Sequence, residues 1–221
     1  MTKFKKIILA SNSPRRKELL TLFGVDYVVQ PADVDESQLE NESPGDYVLR
    51  LAEAKAKKVG ESAGEGAVVI AADTTVADGA ILLGKPRDEK ESRQMLEQLR
   101  DRVHQVYTGT AVFEVKTNKI FTELTCTDVP MRDYTDNEIN EYIATGDPFD
   151  KAGGYAIQHS GFHPVSELSG CYANVVGLPL CHLYRTLKQI ENDLHVEISA
   201  LCQQTLEYDC DIYERVLKGE L

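Results

Sequence analysis

Ser11-Asn12-Ser13-Pro14-Arg15-Arg16 packs hydroxyl side chains, a proline and two arginines into six positions. If a strand ends before this segment and a helix starts within it, free backbone N–H groups and the positive helix end form an anion site. Two arginines in a first helical turn oppose the helix dipole unless a phosphate reverses the penalty, and guanidinium suits forked contacts with phosphate oxygens. Two solvated arginines on an exposed turn are the competing reading. Asp73, in Ala71-Ala72-Asp73-Thr74, stands where an apolar run stops. It suits a metal ligand or a base that activates water, and equally an acid that caps a turn. Glu36 closes the acidic stretch 33–36, which reads alone as a solvated loop. Lys55, beside Lys57 and Lys58, reads alone as a surface cation. Lys85, in the rigid turn Gly84-Lys85-Pro86, and Lys151, in a glycine-rich loop, each present an ammonium group.

Several chemistries find no support. There is no GxxxxGK[ST] phosphate loop and no HExxH motif. The five cysteines form no CxxC pair, so a structural zinc site is disfavoured and reduced thiols are expected. Cys171 and Cys181 are expected to pack rather than react, since neither is placed at a helix N-terminus or beside a cation.

The elements that must position these residues follow from capping and periodicity. Residues 6–10 read as a buried strand, after which Ser13-Pro14 opens a helix that stops at Gly24. A strand at 25–30 and a helix from Ser43-Pro44 to about Gly60 follow. Residues 67–72 form an apolar strand ending at Asp73, and Asp78-Gly79 turns into residues 80–83. Asp88 caps a helix to about Arg100, residues 103–115 and 119–132 form a hairpin, and Thr135 with Glu138 makes a capping box. The glycine-rich stretch 150–161 leads to strands near 162–168 and 172–176, and a last core helix starts at Leu178-Pro179. The class is mixed α/β.

The chain has 221 residues, 42% hydrophobic and 27% charged, which is ordinary globular composition. A formal charge of −12 disfavours nucleic acid or an anionic membrane as partner. No apolar run approaches the roughly 18–20 residues of a membrane span, and the apolar run at 7–10 after the basic N-terminus is too short for a signal peptide. A cytoplasmic protein is expected. Residues 191–221 carry eight acids against Arg215 and Lys218, a net −6 that is half of the chain's formal −12, with helical spacing of Leu194, Ile198, Leu201 and Leu206. They read as an appended acidic helix.

Taken together, SNSPRR, AADTTV, GKPRD, HQVYTG, DKAGGYAIQ and NVVGLPL stand in the order and approximate spacing of the Maf-like nucleotide pyrophosphatases, and residues 6–190 resemble that family. The resemblance implies an elongated mixed sheet with flanking helices and two lobes around a nucleotide cleft, similar to inosine triphosphatases in outline. It implies a pyrophosphatase domain at 1–190 with 191–221 outside it. It also implies hydrolysis of a nucleoside triphosphate to monophosphate and pyrophosphate with Mg²⁺ or Mn²⁺, a nucleotide as the small-molecule partner and dimers among its members. Residue by residue, Asp73 matches the family's proton acceptor, and Glu36, Lys55 and Lys85 its other active-site charges. Ser11 and Arg16 match its phosphate-binding segment. Arg15, Thr74 and Gln158 match the positions that separate its branches and resemble the dTTP/UTP branch rather than the 7-methyl-GTP branch. His159 stands where the family usually has glycine, and the extension has no counterpart in its short members.

These expectations combine into a mechanism. Glu36 and Asp73 hold the metal or its water, water attacks the α-phosphorus, and Arg15, Arg16, Lys55 and Lys85 neutralise the phosphates. The rivals are a nucleotide-binding regulatory module without turnover, a 7-methyl-GTP enzyme and an inosine-type enzyme.

Overall fold

The computed structural model describes residues 6–190 and 194–221. The basic N-terminal segment and the expected boundary after residue 190 touch residues 1–5 and 191–193, which lie outside the described residues. The sheet is mixed, in the order β2 (Tyr27–Val29), β1 (Lys6–Leu9), β3 (Ala67–Asp78), β5 (Val103–Glu114), β6 (Lys119–Pro130). A short β4 (Ile81–Leu83) pairs antiparallel with the far end of β3. β1 is parallel to both β2 and β3, whereas β3, β5 and β6 run antiparallel.

Helix starts follow the capping residues. Ser13 caps α1 (Pro14–Thr21), Ser43 caps α2 (Pro44–Gly60), Asp88 caps α3 (Glu89–Leu99), and Thr135 with Glu138 completes the capping box of α4 (Asp136–Ala144). One apolar cluster gathers β1, α1 and α6 (Leu180–Ile190) at one end of the molecule. Another gathers α3, α4, Tyr155 and Phe162 at the other end. β3 and β5 run through both, so the two lobes share a sheet. α2 lies across a face of that sheet, so close that a Cβ on Gly109 of β5 would sit 2.4 Å from the Val48 carbonyl oxygen. Only glycine allows that approach.

Four expectations are corrected. β3 does not end at Asp73 but continues to Asp78, because β-branched Thr74, Thr75 and Val76 stay extended and pair with β5 throughout. Residues 172–176 form a helix, α5 (Tyr172–Val176), not a strand. The buried Asn174 carboxamide donates to the Val106 carbonyl and to Thr127 Oγ1, and the left-handed Gly177 closes the turn. Around 162–168 there is only an isolated bridge between Met131 and Val165. Finally, Cys171 is the N-cap of α5 and Cys181 lies in the first turn of α6. Burial nonetheless pushes both thiols up, Cys181 to about 12, so they pack as expected for a different reason.

Beyond α6 the chain forms two helices rather than one, α7 (Ile198–Leu206) and α8 (Tyr213–Lys218). Leu194, Ile198 and Val216 are buried in the α6 cluster. Asp211 accepts from Ser169 Oγ at 2.7 Å and from the Gly170 N–H at 2.9 Å, and the Tyr208 hydroxyl donates to the Leu168 carbonyl. The charged surface of the extension therefore covers an apolar attachment. Truncation after Ile190 should cost a few kcal/mol, since each of three buried aliphatic side chains contributes about 1.5–3 kcal/mol. Thermal unfolding checks this, and an unchanged midpoint would contradict the packing account. Catalytic activity should remain measurable in a folded truncation, because none of the cleft residues described below comes from 191–221.

Candidate active site

β1 ends opposite Ile70 and β4 ends opposite Val76, leaving residues 71–75 of β3 without a neighbouring strand on that side. A cleft of about 430 Å³ opens there, between the two lobes. Its walls include Ser11, Arg15, Arg16, Glu36, Lys55, Thr74, Lys85 and Gln158. Eight of the nine expected site residues thus meet at one place, brought from the β1–α1 turn, the 31–42 loop, α2, β3, the β4–α3 turn and the 150–161 loop. Asp73 is the exception. It lies beneath Lys55, 8% exposed, rather than on the wall.

Arg16 closes the open stretch of β3. Its guanidinium donates to the Ala72 carbonyl at 2.8 Å, to the Gly177 carbonyl at 2.9 Å and to Thr74 Oγ1 at 2.9 Å, with a longer contact to Ser11 Oγ. Thr74 also shares a hydroxyl hydrogen bond with Thr108. Burial pulls Arg16 below the ordinary arginine value, and the charge of Asp73 opposes that shift. Most of its donors are already committed, so Arg16 supplies a fixed positive field more than a free hand for an anion. Arg15, partly exposed at the start of α1, is the freer of the two.

Lys55 is not the surface cation that its neighbours Lys57 and Lys58 suggest. It stands on the buried stripe of α2 with Val48, Leu51, Ala52, Ala56 and Val59. That stripe was legible in the sequence at helical spacing. Its Nζ lies 2.6 Å from Asp73 Oδ1 and 2.6 Å from Glu36 Oε1. Two hard oxygens therefore converge on one cationic point, which fits a divalent cation whose other ligands come from substrate and water. Among the described residues no cluster of three or more His, Cys, Asp or Glu side chains could hold a metal alone. Burial raises Asp73 above the usual aspartate range, against the lowering by Lys55 and Arg16. The Glu36 loop is held from α2, where the Tyr47 hydroxyl donates to the Glu36 carbonyl and Arg50 to the Ser37 carbonyl.

Lys85 is exposed in the β4–α3 turn and forms no ion pair or hydrogen bond among the described residues, leaving its charge available. Lys151, also on the cleft wall, is buried and donates to the Asp147 carbonyl and to the Asp147 and Asp150 carboxylates. Its loop is tied down rather than flexible. Sequence reasoning gave Tyr155, Thr108 and Gly177 no role in the site. The glycine pair in Asp150-Lys151-Ala152-Gly153-Gly154-Tyr155 was the available signal for a fixed turn, and both glycines have positive φ. Gln158 is exposed on the cleft wall, whereas His159 is not among the wall residues.

The Maf-like protein family matches residues 6–190. A protein named dTTP/UTP pyrophosphatase from Geotalea uraniireducens (strain Rf4) is 45% identical over 184 residues, covering 83% of this chain and 94% of that protein. One of the same name from Dictyoglomus turgidum (strain DSM 6724 / Z-1310) is 46% identical over 186 residues, covering 84% and 96%. A third, from Clostridium novyi (strain NT), is 46% identical over 181 residues, covering 81% and 95%. The solved Ham1 protein of Staphylococcus aureus aligns over 58% of this chain and 73% of its own at 18% identity, with a TM-score of 0.42, too distant to carry an argument. No helix among the described residues is long and apolar enough to cross a membrane.

Removing Lys55 while leaving both carboxylates uncovers a buried charge, so Lys55→Met should destabilise the fold by about 3 kcal/mol at neutral pH. The loss has a definite pH sign. Asp73, already raised and now without its main partner, favours the folded state only when protonated. The deficit should be smallest below pH 3.8, the ordinary aspartate value, and grow as pH rises through the folded-state pKa. Denaturant titrations of both proteins from pH 3.5 to 8 measure it; a pH-independent difference would count against the buried pair.

Proposed function

Because this chain belongs to the Maf-like protein family, we propose that it is a nucleoside triphosphate pyrophosphatase that hydrolyses dTTP and UTP to the monophosphate and pyrophosphate. The observation that carries the reading is the convergence of Asp73 and Glu36 on Lys55 in a cleft whose other walls hold Arg15, Arg16 and Lys85. A triphosphate brings about four negative charges, which an acidic protein accepts only where fixed cations are gathered. The relatives' shared name supports the substrate class.

The chain's own residues divide the work. The N-terminus of α1, Arg15 and Lys85 bind the phosphates, while Arg16 supplies a positive field fixed in direction before substrate arrives. Asp73 and Glu36 orient the attacking water and take its proton as it approaches the α-phosphorus. Lys55, held between them, stabilises the charge that develops there, and Lys85 and Arg15 stabilise departing pyrophosphate. Glu36 and Asp73 are the residues that would hold Mg²⁺ or Mn²⁺. When bound, such a cation adds charge neutralisation and a more acidic water. Uracil and thymine present a carbonyl–NH–carbonyl edge that a carboxamide can both donate to and accept from. Gln158 is the reader of that edge, and Arg15 and Thr74 close the pocket.

The catalytic unit is residues 1–190, with 191–221 an acidic helical extension; the end of the family match at residue 190 supports that boundary. The protein is cytoplasmic, in keeping with five unpaired thiols. It works without nucleic acid or membrane partners, in keeping with its charge of −12. Its assembly is a homodimer, for which the exposed Val28 and Val29 on edge strand β2 supply an apolar edge. A regulatory module without turnover is the weaker reading, since a sensor has no need for a carboxylate such as Asp73 held against desolvation beneath Lys55.

Asp73→Asn preserves shape and should fold, yet turnover should fall at least ~100-fold, the low end for losing general-base catalysis. Near-normal pyrophosphate release from the folded variant would remove Asp73 from the mechanism. In a pyrophosphate-release screen with Mg²⁺ and Mn²⁺, UTP and dTTP should exceed ATP and GTP in kcat/KM by at least ~10-fold, about 1.4 kcal/mol. Gln158→Ala should erode that preference more than it slows the best substrate. Preference for GTP or its 7-methyl form would overturn the pyrimidine assignment and leave the family intact.

A further inference from the structure

Gln158 makes no hydrogen bond within the protein among the described residues, so its aim depends on how the turn beneath it is held. We propose that His159 is a specificity-positioning residue whose imidazole fixes the turn presenting Gln158 to the base; the proposal rests on the pyrimidine-reading role given to Gln158 above. His159 Nδ1 accepts two backbone hydrogen bonds, from the Phe162 N–H at 2.9 Å and the Gly161 N–H at 3.2 Å. The His159 N–H donates back to the Ala156 carbonyl, and its own carbonyl accepts from the His163 N–H. The residue therefore bridges both arms of the 156–163 turn.

The ring is seated as well as bonded. It stands edge-on to Tyr142 at 4.7 Å and 69°, and Tyr142 stacks on Phe162 at 4.4 Å and 13°. Tyr142 in turn accepts the Ala156 N–H and donates to the Asp147 carboxylate, which Lys151 neutralises. A Cβ on Gly161 would come 3.3 Å from His159 Cε1, so the imidazole fits over a residue with no side chain. With Nδ1 accepting both amides, Nε2 is the ring nitrogen left to donate. Gln158 is thus flanked by two anchored points, Ala156 on Tyr142 and His159 on the Phe162 and Gly161 amides. A carboxamide discriminates bases only if its rotation relative to the base edge is fixed, and this pair of anchors fixes the backbone from which it projects.

Steady-state kinetics of the full chain with UTP and GTP test the assignment, using His159→Ala, His159→Leu and His159→Asn with thermal unfolding of each. Leucine keeps apolar contact with Tyr142 but has no acceptor, whereas the asparagine Oδ1 occupies nearly the place of Nδ1 and can accept the same amides. His159→Leu and His159→Ala should raise KM for UTP about tenfold with kcat changed less than about twofold, the pattern of lost ground-state binding. The UTP-over-GTP ratio of kcat/KM should shrink by a similar factor, and His159→Asn should recover most of both. Unchanged KM and selectivity in His159→Leu overturns the proposal, as does an asparagine variant no better than leucine, or a variant that loses only thermal stability. Should His159→Ala fail to fold, the leucine–asparagine comparison decides alone. A wild-type enzyme without pyrimidine preference overturns the reading of Gln158 and this proposal together. Intact wild-type preference with an indifferent His159 overturns this one only.

Discussion

The middle of β3 has a neighbour on one side only, and the site grows from that deficit. Unpaired strand backbone must find partners or water, so a gap between β1 and β4 creates both a cleft and a demand for donors. Arg16 meets the demand by bonding the Ala72 carbonyl, and it can do so because α1 begins directly after β1 and projects its first turn over the gap. The same guanidinium reaches Gly177 at the end of α5, where a side chain would crowd Thr74 and Arg16. One cation thereby ties the N-terminal turn, the central strand and the 170–177 segment. The extension reinforces the last of these through Asp211 on Ser169 and Gly170, at the start of the same segment.

Charge burial is the second constraint, and it works against stability. Asp73 is desolvated enough to be raised despite two adjacent cations, and Arg16 is lowered despite an adjacent carboxylate. Both charged forms are disfavoured by burial, and each is partly compensated because the other element fixes the partner's position. A site of this kind is preorganised for a polyanion and poorly optimised for the empty fold, as expected where electrostatics supplies most of the rate. Lys55, 2.6 Å from each, offsets the repulsion between the two carboxylates.

How much of this could be read from sequence depended on whether the cause was local. Helix starts were legible because Ser13, Ser43, Asp88 and Thr135 each satisfy their own helix's orphan amides, an interaction confined to four residues. The β5–β6 hairpin was legible for the same reason. Residues 172–176 were misread because Asn174 is committed to partners on β5 and β6, which outweigh the β-branched preference of Val175 and Val176. Asp73 seemed to end a strand because polarity marks where the cleft begins, and the backbone pairing with β5 ignores that boundary. Lys55 was hidden by its charged neighbours in sequence, although the apolar residues at helical spacing around it gave its true face. The order of motifs across residues 6–190 conveyed the membership of the site, but not that Asp73 would lie under Lys55.

The two halves of the cleft are built by different means, and this bears on how such a site can change its substrate. On the function proposed above, the phosphate half stands on β3, α1 and α2, whose positions are fixed by sheet pairing and by the close approach of α2 to Gly109. The base half stands on the 150–161 loop, held by side-chain bonds from Lys151, Tyr142 and His159. Altering the first disturbs the shared core of both lobes, whereas altering the second re-aims a loop and leaves the sheet intact. On the roles proposed above, hydrolysis at the α-phosphorus draws on the first half together with Lys85, and discrimination among bases adds Gln158 of the second half to Arg15 and Thr74 of the first. Base preference can therefore drift through a few loop contacts while the carboxylate–lysine–carboxylate arrangement remains in place.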